Sequence, residues 1–331
     1  MNFAVIGAGS WGTAIAQLLA ENGHQVKLWA LEEEVATGIN KEHTNPIYLL
    51  SARLHENIFA STRMEDVLED THAVAIVTPS QFLRNIAKEI APHLSSDTPV
   101  VICSKGAEEK TGALANQVLV EEVGNQNRIA VLSGPTHAEE VIKGVPTAAT
   151  CASSSSEIAE FFQNQFSSDN FRVYTSNDVD GVEICAAFKN VIAICVGISY
   201  GLGFGDNTAA LIITRGVAEM SRMIDACGGD PKTCQSLAGI GDMVVTCMSR
   251  HSRNRRFGED YLTKGKTLSD FKSDTKMVVE GAVAAKNLLT LSQKHSVELP
   301  ITRAVYSVIY KGTSPEEMAV SLFSRPLKEE F

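Results

Sequence analysis

The segment from Asn2 to Trp29 constrains this chain more than any other. Asn2-Phe3-Ala4-Val5-Ile6 is a short strand-like run, and it leads without a spacer into Gly7-Ala8-Gly9-Ser10-Trp11-Gly12. Thr13 to Glu21 then reads as a helix, which Asn22-Gly23 stops, and Gln25 to Trp29 reads as a second strand. Strand, glycine turn, helix and strand in this order form a βαβ unit, which commits the region to a parallel sheet covered on both faces. Glycine at the first, third and sixth positions of the turn lets backbone N–H groups approach an anion, and the positive end of the following helix favours that charge. In this setting Gly7, Gly9 and Gly12 point to a bound dinucleotide with its pyrophosphate over the turn. Just past the second strand, Glu32 suits a ribose 2'-hydroxyl and opposes a 2'-phosphate. A run of three successive glutamates is, however, more often just a solvated helix start.

The alternation continues. Ala73 to Val77 reads as a strand ending at Thr78-Pro79-Ser80, and Phe82 to Ile90 as a helix. Val100 to Cys103 is a strand ending at Ser104-Lys105-Gly106, and Ile129 to Leu132 one ending at Ser133-Gly134-Pro135-Thr136. Pro146 to Cys151 and Phe171 to Thr175 extend the sheet, with Ser153 to Ser156 capping a helix between them. The carboxyl ends of parallel strands converge on one crevice where ligands bind, which makes Lys105 a candidate site residue; the competing reading is an exposed loop lysine. After Asp178 strand patterns give way to helical ones. The expected architecture is therefore α/β: a Rossmann-type doubly wound sheet over residues 1–178, followed by an all-helical domain over 179–331.

Within the second part, Cys185 to Ser199 (CAAFKNVIAICVGIS) is too long for one strand and apolar on every face, so it reads as a buried helix. Lys189 stands inside it next to Asn190. Desolvation disfavours a buried ammonium, and a lysine so adjusted exchanges a proton with a reacting oxygen near neutral pH; the alternative is a lysine whose stem carries its charge to the surface. Gly201 to Gly205 breaks that helix, and Asp206-Asn207-Thr208 offers N-cap chemistry for the next. Asp230-Pro231 opens another, and Asp242 is either an N-cap or a site residue. Arg250-His251-Ser252-Arg253-Asn254-Arg255-Arg256 is a basic cluster against an acidic background. Without interleaved aromatics it suits a small phosphate better than RNA, and at least two of its arginines are expected to be surface residues with no ligand.

Net charge is −10, which argues against nucleic acid or an anionic membrane surface as a partner. Seven cysteines with no C-x-x-C pair suggest reduced thiols in a cytoplasmic protein. Eight scattered histidines form no ligand pattern, so no metal is expected. The apolar N-terminus lacks a basic region and is broken by glycines, and no uninterrupted run of about twenty apolar residues occurs; neither a signal peptide nor an integral membrane segment is expected.

Taken together, the blocks GAGSWGTA at the start, SKG at Ser104 to Gly106, SGPTHAEEV from Ser133, AAFKNVIAI from Ala186, GLGFGDNTAALIITRG from Gly201, and GDMVVTC followed by SRNRRFG resemble the bacterial NAD(P)-dependent glycerol-3-phosphate dehydrogenases over nearly the whole chain. The resemblance implies NAD or NADP as cofactor, a homodimer, and hydride transfer between dihydroxyacetone phosphate and sn-glycerol 3-phosphate for glycerophospholipid synthesis. By position, the family's proton-exchanging lysine falls on Lys189. Its substrate contacts fall on Lys105, Gly134, Thr136, Lys189, Asp242, Ser252, Arg253 and Asn254. Its cofactor contacts fall on Ser10, Trp11, Lys105, Ala138, Arg253, Val278 and Glu280. On this reading Lys105 adds positive charge beside the reacting oxygen, Asp242 orients Lys189, and Arg253 with the helix start at Asn207-Thr208 holds the phosphate.

Two departures from the family pattern stand out. Trp29 is followed by Ala30 and Leu31 where a basic residue is common, which leaves the choice of NADPH or NADH open unless Arg53 or another arginine reaches in. The segment from Ile47 to Asn57 also lacks the prolines common there. Two other readings remain: a related 3-hydroxy acid or 6-phosphogluconate-type dehydrogenase, and a nucleotide-binding sensor without turnover.

Overall fold

The computed structural model describes residues 1–331 apart from Ser51, Ala107, Glu109, Lys110, Lys276, Lys328 and Phe331. Ser51 belongs to the proline-poor 47–57 segment, so that position lies outside the described residues. The chain divides into two compact units, Met1–Glu108 with Ala113–Glu183, and Glu109–Gly112 with Ile184–Phe331.

The first unit runs β1 (Asn2–Ile6), α1 (Ser10–Glu21), β2 (Gln25–Trp29), α2 (Glu33–Glu42), β3 (Ile58–Ser61), α3 (Met64–Leu68), β4 (Ala73–Ile76), α4 (Leu83–Ile90), β5 (Val100–Ile102), α5 (Ala115–Val123), β6 (Ile129–Ser133), α6 (Ala138–Val141), β7 (Thr147–Ala152), α7 (Ser156–Phe166) and β8 (Phe171–Ser176). Its sheet has the order β3-β2-β1-β4-β5-β6-β7-β8. The first six strands are parallel, in the doubly wound order of nucleotide-binding folds; β7 runs antiparallel to β6, and β8 parallel to β7. Sequence position follows burial. β4, β5 and β6 are buried at every residue, because helices cover both faces of the central strands. β3 alternates buried and exposed residues at the sheet edge, with Phe59 half exposed. That strand has only four residues, Ile58-Phe59-Ala60-Ser61, too short an apolar run to stand out in the sequence.

Beneath the sheet, α1 buries nine consecutive residues from Gly12 to Ala20. The Phe3 ring meets Phe166 of α7 edge to face at 6.5 Å, and Phe162 lies 6.2 Å from Phe166. Burying each such ring contributes about 1.5–3 kcal/mol. Ser155 caps α7, its hydroxyl accepting from the Ile158 N–H at 3.4 Å.

α8 (Val179–Gly201) starts within the span of the first unit, and every residue from Gly181 to Ser199 is buried. Its length and apolarity are those of a membrane-crossing helix, but the whole apolar window is covered by protein. A Cβ on Gly197 would overlap the Arg255 carbonyl, so these two backbones touch; glycine is required there by space. The second unit continues with α9 (Asp206–Ala226), α10 (Asp242–Met248), α11 (Arg253–Arg256), α12 (Leu268–Thr275), α13 (Glu280–His295), α14 (Pro300–Lys311) and α15 (Pro315–Phe323).

Two cap expectations need correction. α9 begins at Asp206 itself, with Gly205 at the cap and no side-chain cap bond, so Asn207 and Thr208 lie in its first turn. Gly205 already has the extended conformation a cap requires, and Asp206 instead accepts the Tyr200 hydroxyl at 2.8 Å. α10 likewise begins at Asp242, after Gly241, which excludes the N-cap reading of Asp242. Asp230 does cap, but what it opens is a five-residue 3-10 turn, Pro231–Gln235.

Buried Glu219 of α9 performs a capping task that its sequence context hides. The N-cap residue of α14, Leu299, has no capping side chain, and Glu219 accepts from the backbone N–H groups of Ile301 at 2.5 Å and Thr302 at 3.3 Å. Burial pushes its carboxyl up to about 7 from 4.5, against hydrogen bonds that favour ionisation. A folded-state value above the unfolded one gives a contribution that is complete below pH 4.5 and is lost as pH rises toward 7. The expected result is that the urea midpoint of the wild type falls relative to that of Glu219→Gln across this window. Two parallel pH curves separated by a constant offset would contradict the assignment.

Candidate active site

In the first unit the carboxyl ends of β1, β4, β5 and β6 present Gly7 to Gly12, Thr78 to Ser80, Ser104 to Gly106 and Ser133 to Thr136 along one edge of the sheet. Gly7 has φ +117°, a conformation that side chains rarely adopt, and a Cβ on Gly12 would overlap the Gly7 carbonyl oxygen. The space over Gly9 is open to at least 4 Å, and Gly9 caps α1 without a side chain. The turn is therefore a bare backbone cradle at a helix N-terminus, shaped for a pyrophosphate. Three buried polar atoms near this edge, Trp11 Nε1, Thr78 Oγ1 and Ser133 Oγ, find no hydrogen-bond partner among the described residues, as expected of groups that a polar ligand satisfies. The cradle fits a dinucleotide.

The other first-unit candidates lie along the same edge. Lys105 Nζ reaches the Gly134 carbonyl at 3.4 Å, and the Thr136 hydroxyl donates to that same oxygen at 3.2 Å. Ser10 donates to the Tyr48 carbonyl at 2.8 Å. Ala138 is buried at the start of α6.

In the second unit Lys189 projects from α8 to Asp242 at the start of α10, with Nζ 2.5 Å from Oδ1. Both residues are almost fully buried, at 6% and 1% exposure. Burial of an ammonium is costly, and the adjacent carboxylate offsets that cost. The Thr246 hydroxyl, one turn along α10, donates to the Asp242 carbonyl at 2.6 Å and lies 3.3 Å from Oδ1, which fixes the carboxylate in turn. Nothing in the sequence singled out Thr246, although its i+4 spacing from Asp242 is the available signal.

A second network surrounds Asn190. Asn254 donates to Asn190 Oδ1 at 2.8 Å and accepts the Gly281 N–H at 2.9 Å, while Asn190 donates to Glu280 at 3.3 Å. Glu280 also lies 3.8 Å from Arg253, whose side chain is 45% exposed. Ser252 caps α11 by accepting from the Arg255 N–H at 3.2 Å. Val278 is half-buried just before α13.

The four arginines of the basic cluster separate by environment. Arg250, Arg253 and Arg256 are exposed. Arg255 is structural: it bonds Glu259 at 3.0 Å and the Met248 carbonyl at 2.5 Å, with its guanidinium 4.4 Å over the Tyr200 ring.

A doubly wound sheet with a bare glycine cradle, joined in sequence to a helical unit that buries a carboxylate-held ammonium, defines a dinucleotide-dependent dehydrogenase. Residues 2–159 match the model of the NAD-dependent glycerol-3-phosphate dehydrogenase N-terminus, and residues 178–320 that of its C-terminus. The chain belongs to this family. It is 42% identical to a glycerol-3-phosphate dehydrogenase [NAD(P)+] of Shouchella clausii, covering 99% of this chain and 97% of the relative. It is 44% identical to the Enterococcus faecalis protein of that name, covering 99% and 96%. The crystal structure of glycerol-3-phosphate dehydrogenase from Coxiella burnetii superposes with a TM-score of 0.93 at 35% identity, covering 98% of this chain and 99% of that one. A D-mandelate dehydrogenase with NADH, at 14% identity and a TM-score of 0.64, shares the fold alone.

Proposed function

We propose that this protein interconverts dihydroxyacetone phosphate and sn-glycerol 3-phosphate, using NADH or NADPH bound over the Gly7–Gly12 turn. The observation that carries the chemistry is the 2.5 Å contact between Lys189 and Asp242, sunk in apolar helix. When bound, the reduced nicotinamide supplies the hydride. Lys189, as an ammonium, donates a hydrogen bond to the ketone oxygen and then gives it a proton; in the reverse direction the neutral amine takes that proton back. Asp242, held by Thr246, keeps Nζ aimed and favours the cation before transfer. Lys105 adds a second positive charge for the developing alkoxide. Ser252, Arg253 and Asn254 bind the phosphate, with Glu280 and the Asn190–Asn254 bond holding Arg253 in place. Gly134 and Thr136 complete the substrate contacts, while Ser10, Trp11, Ala138, Val278 and Glu280 serve the cofactor.

The division into residues 1–178 and 179–331 separates these tasks, with the nucleotide on the first and the proton chemistry on the second. The same reading makes the protein a cytoplasmic homodimer whose product enters glycerophospholipid synthesis. Its seven cysteines form no disulfide among the described residues, which suits a reducing compartment.

The decisive experiment follows NADH and NADPH oxidation in parallel with dihydroxyacetone phosphate as acceptor. Turnover of a hydroxy acid with none of glycerol phosphate would replace this reading with the hydroxy acid dehydrogenase alternative. Arg253→Ala should raise KM for dihydroxyacetone phosphate roughly tenfold or more while moving kcat little, because a phosphate contact distant from the reacting carbon contributes mainly uniform binding. An unchanged KM removes Arg253 from the phosphate site.

A further inference from the structure

Glu32 lies between β2 and α2 in extended conformation, with φ −98° and ψ 130°. In doubly wound folds the adenosine ribose is read just past the second strand. The Tyr48 hydroxyl donates to Glu32 Oε1 at 2.7 Å, and that bond pushes the tyrosine up to about 12. Oε2 is left with no hydrogen bond among the described residues. Tyr48 is itself pinned to the glycine turn. Its N–H donates to Asn45 Oδ1 at 3.0 Å, and its carbonyl accepts from Ser10 at 2.8 Å. Asn45 is fully buried and donates to the Ala8 carbonyl at 2.9 Å and to Thr13 at 2.8 Å. One loop therefore ties the pyrophosphate cradle to the carboxylate beyond the second strand and fixes both.

Among the described residues no basic side chain is paired with the carboxylate beyond the second strand. Leu31 is 73% exposed where a basic side chain would serve. Arg63 faces Glu65 at 4.0 Å and Asp66 at 3.8 Å, and neither it nor Arg53 forms an ion pair with Glu32 among the described residues. Glu33 accepts from Thr62 at 3.2 Å, and no lysine or arginine pairs with Glu32, Glu33 or Glu34 among the described residues.

We infer that Glu32, locked by Tyr48, makes this protein selective for NADH: Oε2 accepts the ribose 2'-hydroxyl, and the carboxylate repels the 2'-phosphate of NADPH. The inference rests on the dinucleotide reading above and specifies which dinucleotide that site takes.

Direct binding tests it without turnover. Dissociation constants for NADH and NADPH are measured by quenching of protein fluorescence at constant ionic strength, for the wild type, Glu32→Gln and Tyr48→Phe. The wild type should bind NADH at least about tenfold more tightly, since a like charge facing the 2'-phosphate is strongly unfavourable. Glu32→Gln should bring the two constants within a few-fold of each other, chiefly by strengthening NADPH. Tyr48→Phe should weaken NADH and narrow the ratio, because the carboxylate loses its fixed orientation. Equal or tighter binding of NADPH by the wild type overturns the inference, as does a ratio unchanged by Glu32→Gln. Binding of neither cofactor overturns it together with the dinucleotide reading, an outcome distinct from binding of both without preference.

Discussion

Lys189→Ala should lose roughly 10²- to 10⁴-fold in kcat, the range expected for a positioned proton donor, and should keep its affinity for NADH. The two effects separate because the amine is held in the helical unit by Asp242, whereas the glycine cradle is built from β1 and α1. Single-turnover rates with dihydroxyacetone phosphate and cofactor titration on the same sample check both halves. Near-normal turnover removes Lys189 from proton exchange. Loss of cofactor binding would instead point to a folding defect.

Asp242→Ala should be the most destabilising change at the site. It leaves the Lys189 ammonium buried at 6% exposure without its carboxylate, and breaking a buried pair costs about 3–5 kcal/mol. Turnover should fall as well, since Thr246 then has no carboxylate to fix and the amine no longer points one way. The double variant Lys189→Met with Asp242→Leu distinguishes the pair from its surroundings. Apolar side chains of similar volume remove both desolvation costs, so the double variant should recover most of the lost denaturant midpoint while remaining inactive. A double variant as unstable as Asp242→Ala would assign the loss to packing of α10 and not to charge.

The parts legible in the sequence were those decided by neighbours along the chain. The β1–turn–α1 segment has its strand, its glycines and its helix between Asn2 and Glu21, so backbone sterics alone specify the cradle. Lys189 was legible because a cation in an all-apolar run needs a compensating partner wherever that run packs. Its resemblance blocks then supplied residues, such as Ser252 and Asn254, that no local pattern would have marked. What stayed hidden depended on contacts across long separations. Thr246 has no significance until Asp242 turns toward α8, 53 residues earlier in the chain. Glu219 reads as an ordinary helix-face acid until the N–H groups of α14 arrive 82 residues later. β3 exists as a strand through its ladder with β2.

Tyr48 shows the same division at the cofactor end. Its sequence neighbourhood is an irregular loop, and only the buried Asn45 anchor brings its hydroxyl to Glu32, 16 residues before it. By itself the sequence determined the strand–turn–helix–strand start of the sheet, the change from strand to helical patterns after Asp178, the glycine cradle and the presence of one buried amine, because these follow from steric and solvation rules acting over a few residues. Tertiary structure alone decided which carboxylate holds that amine, which arginine is interior and which carboxylate caps α14. Those choices are settled by burial, where an unpaired polar group costs kilocalories and its partner is whichever group the packing of distant elements brings within about 3 Å.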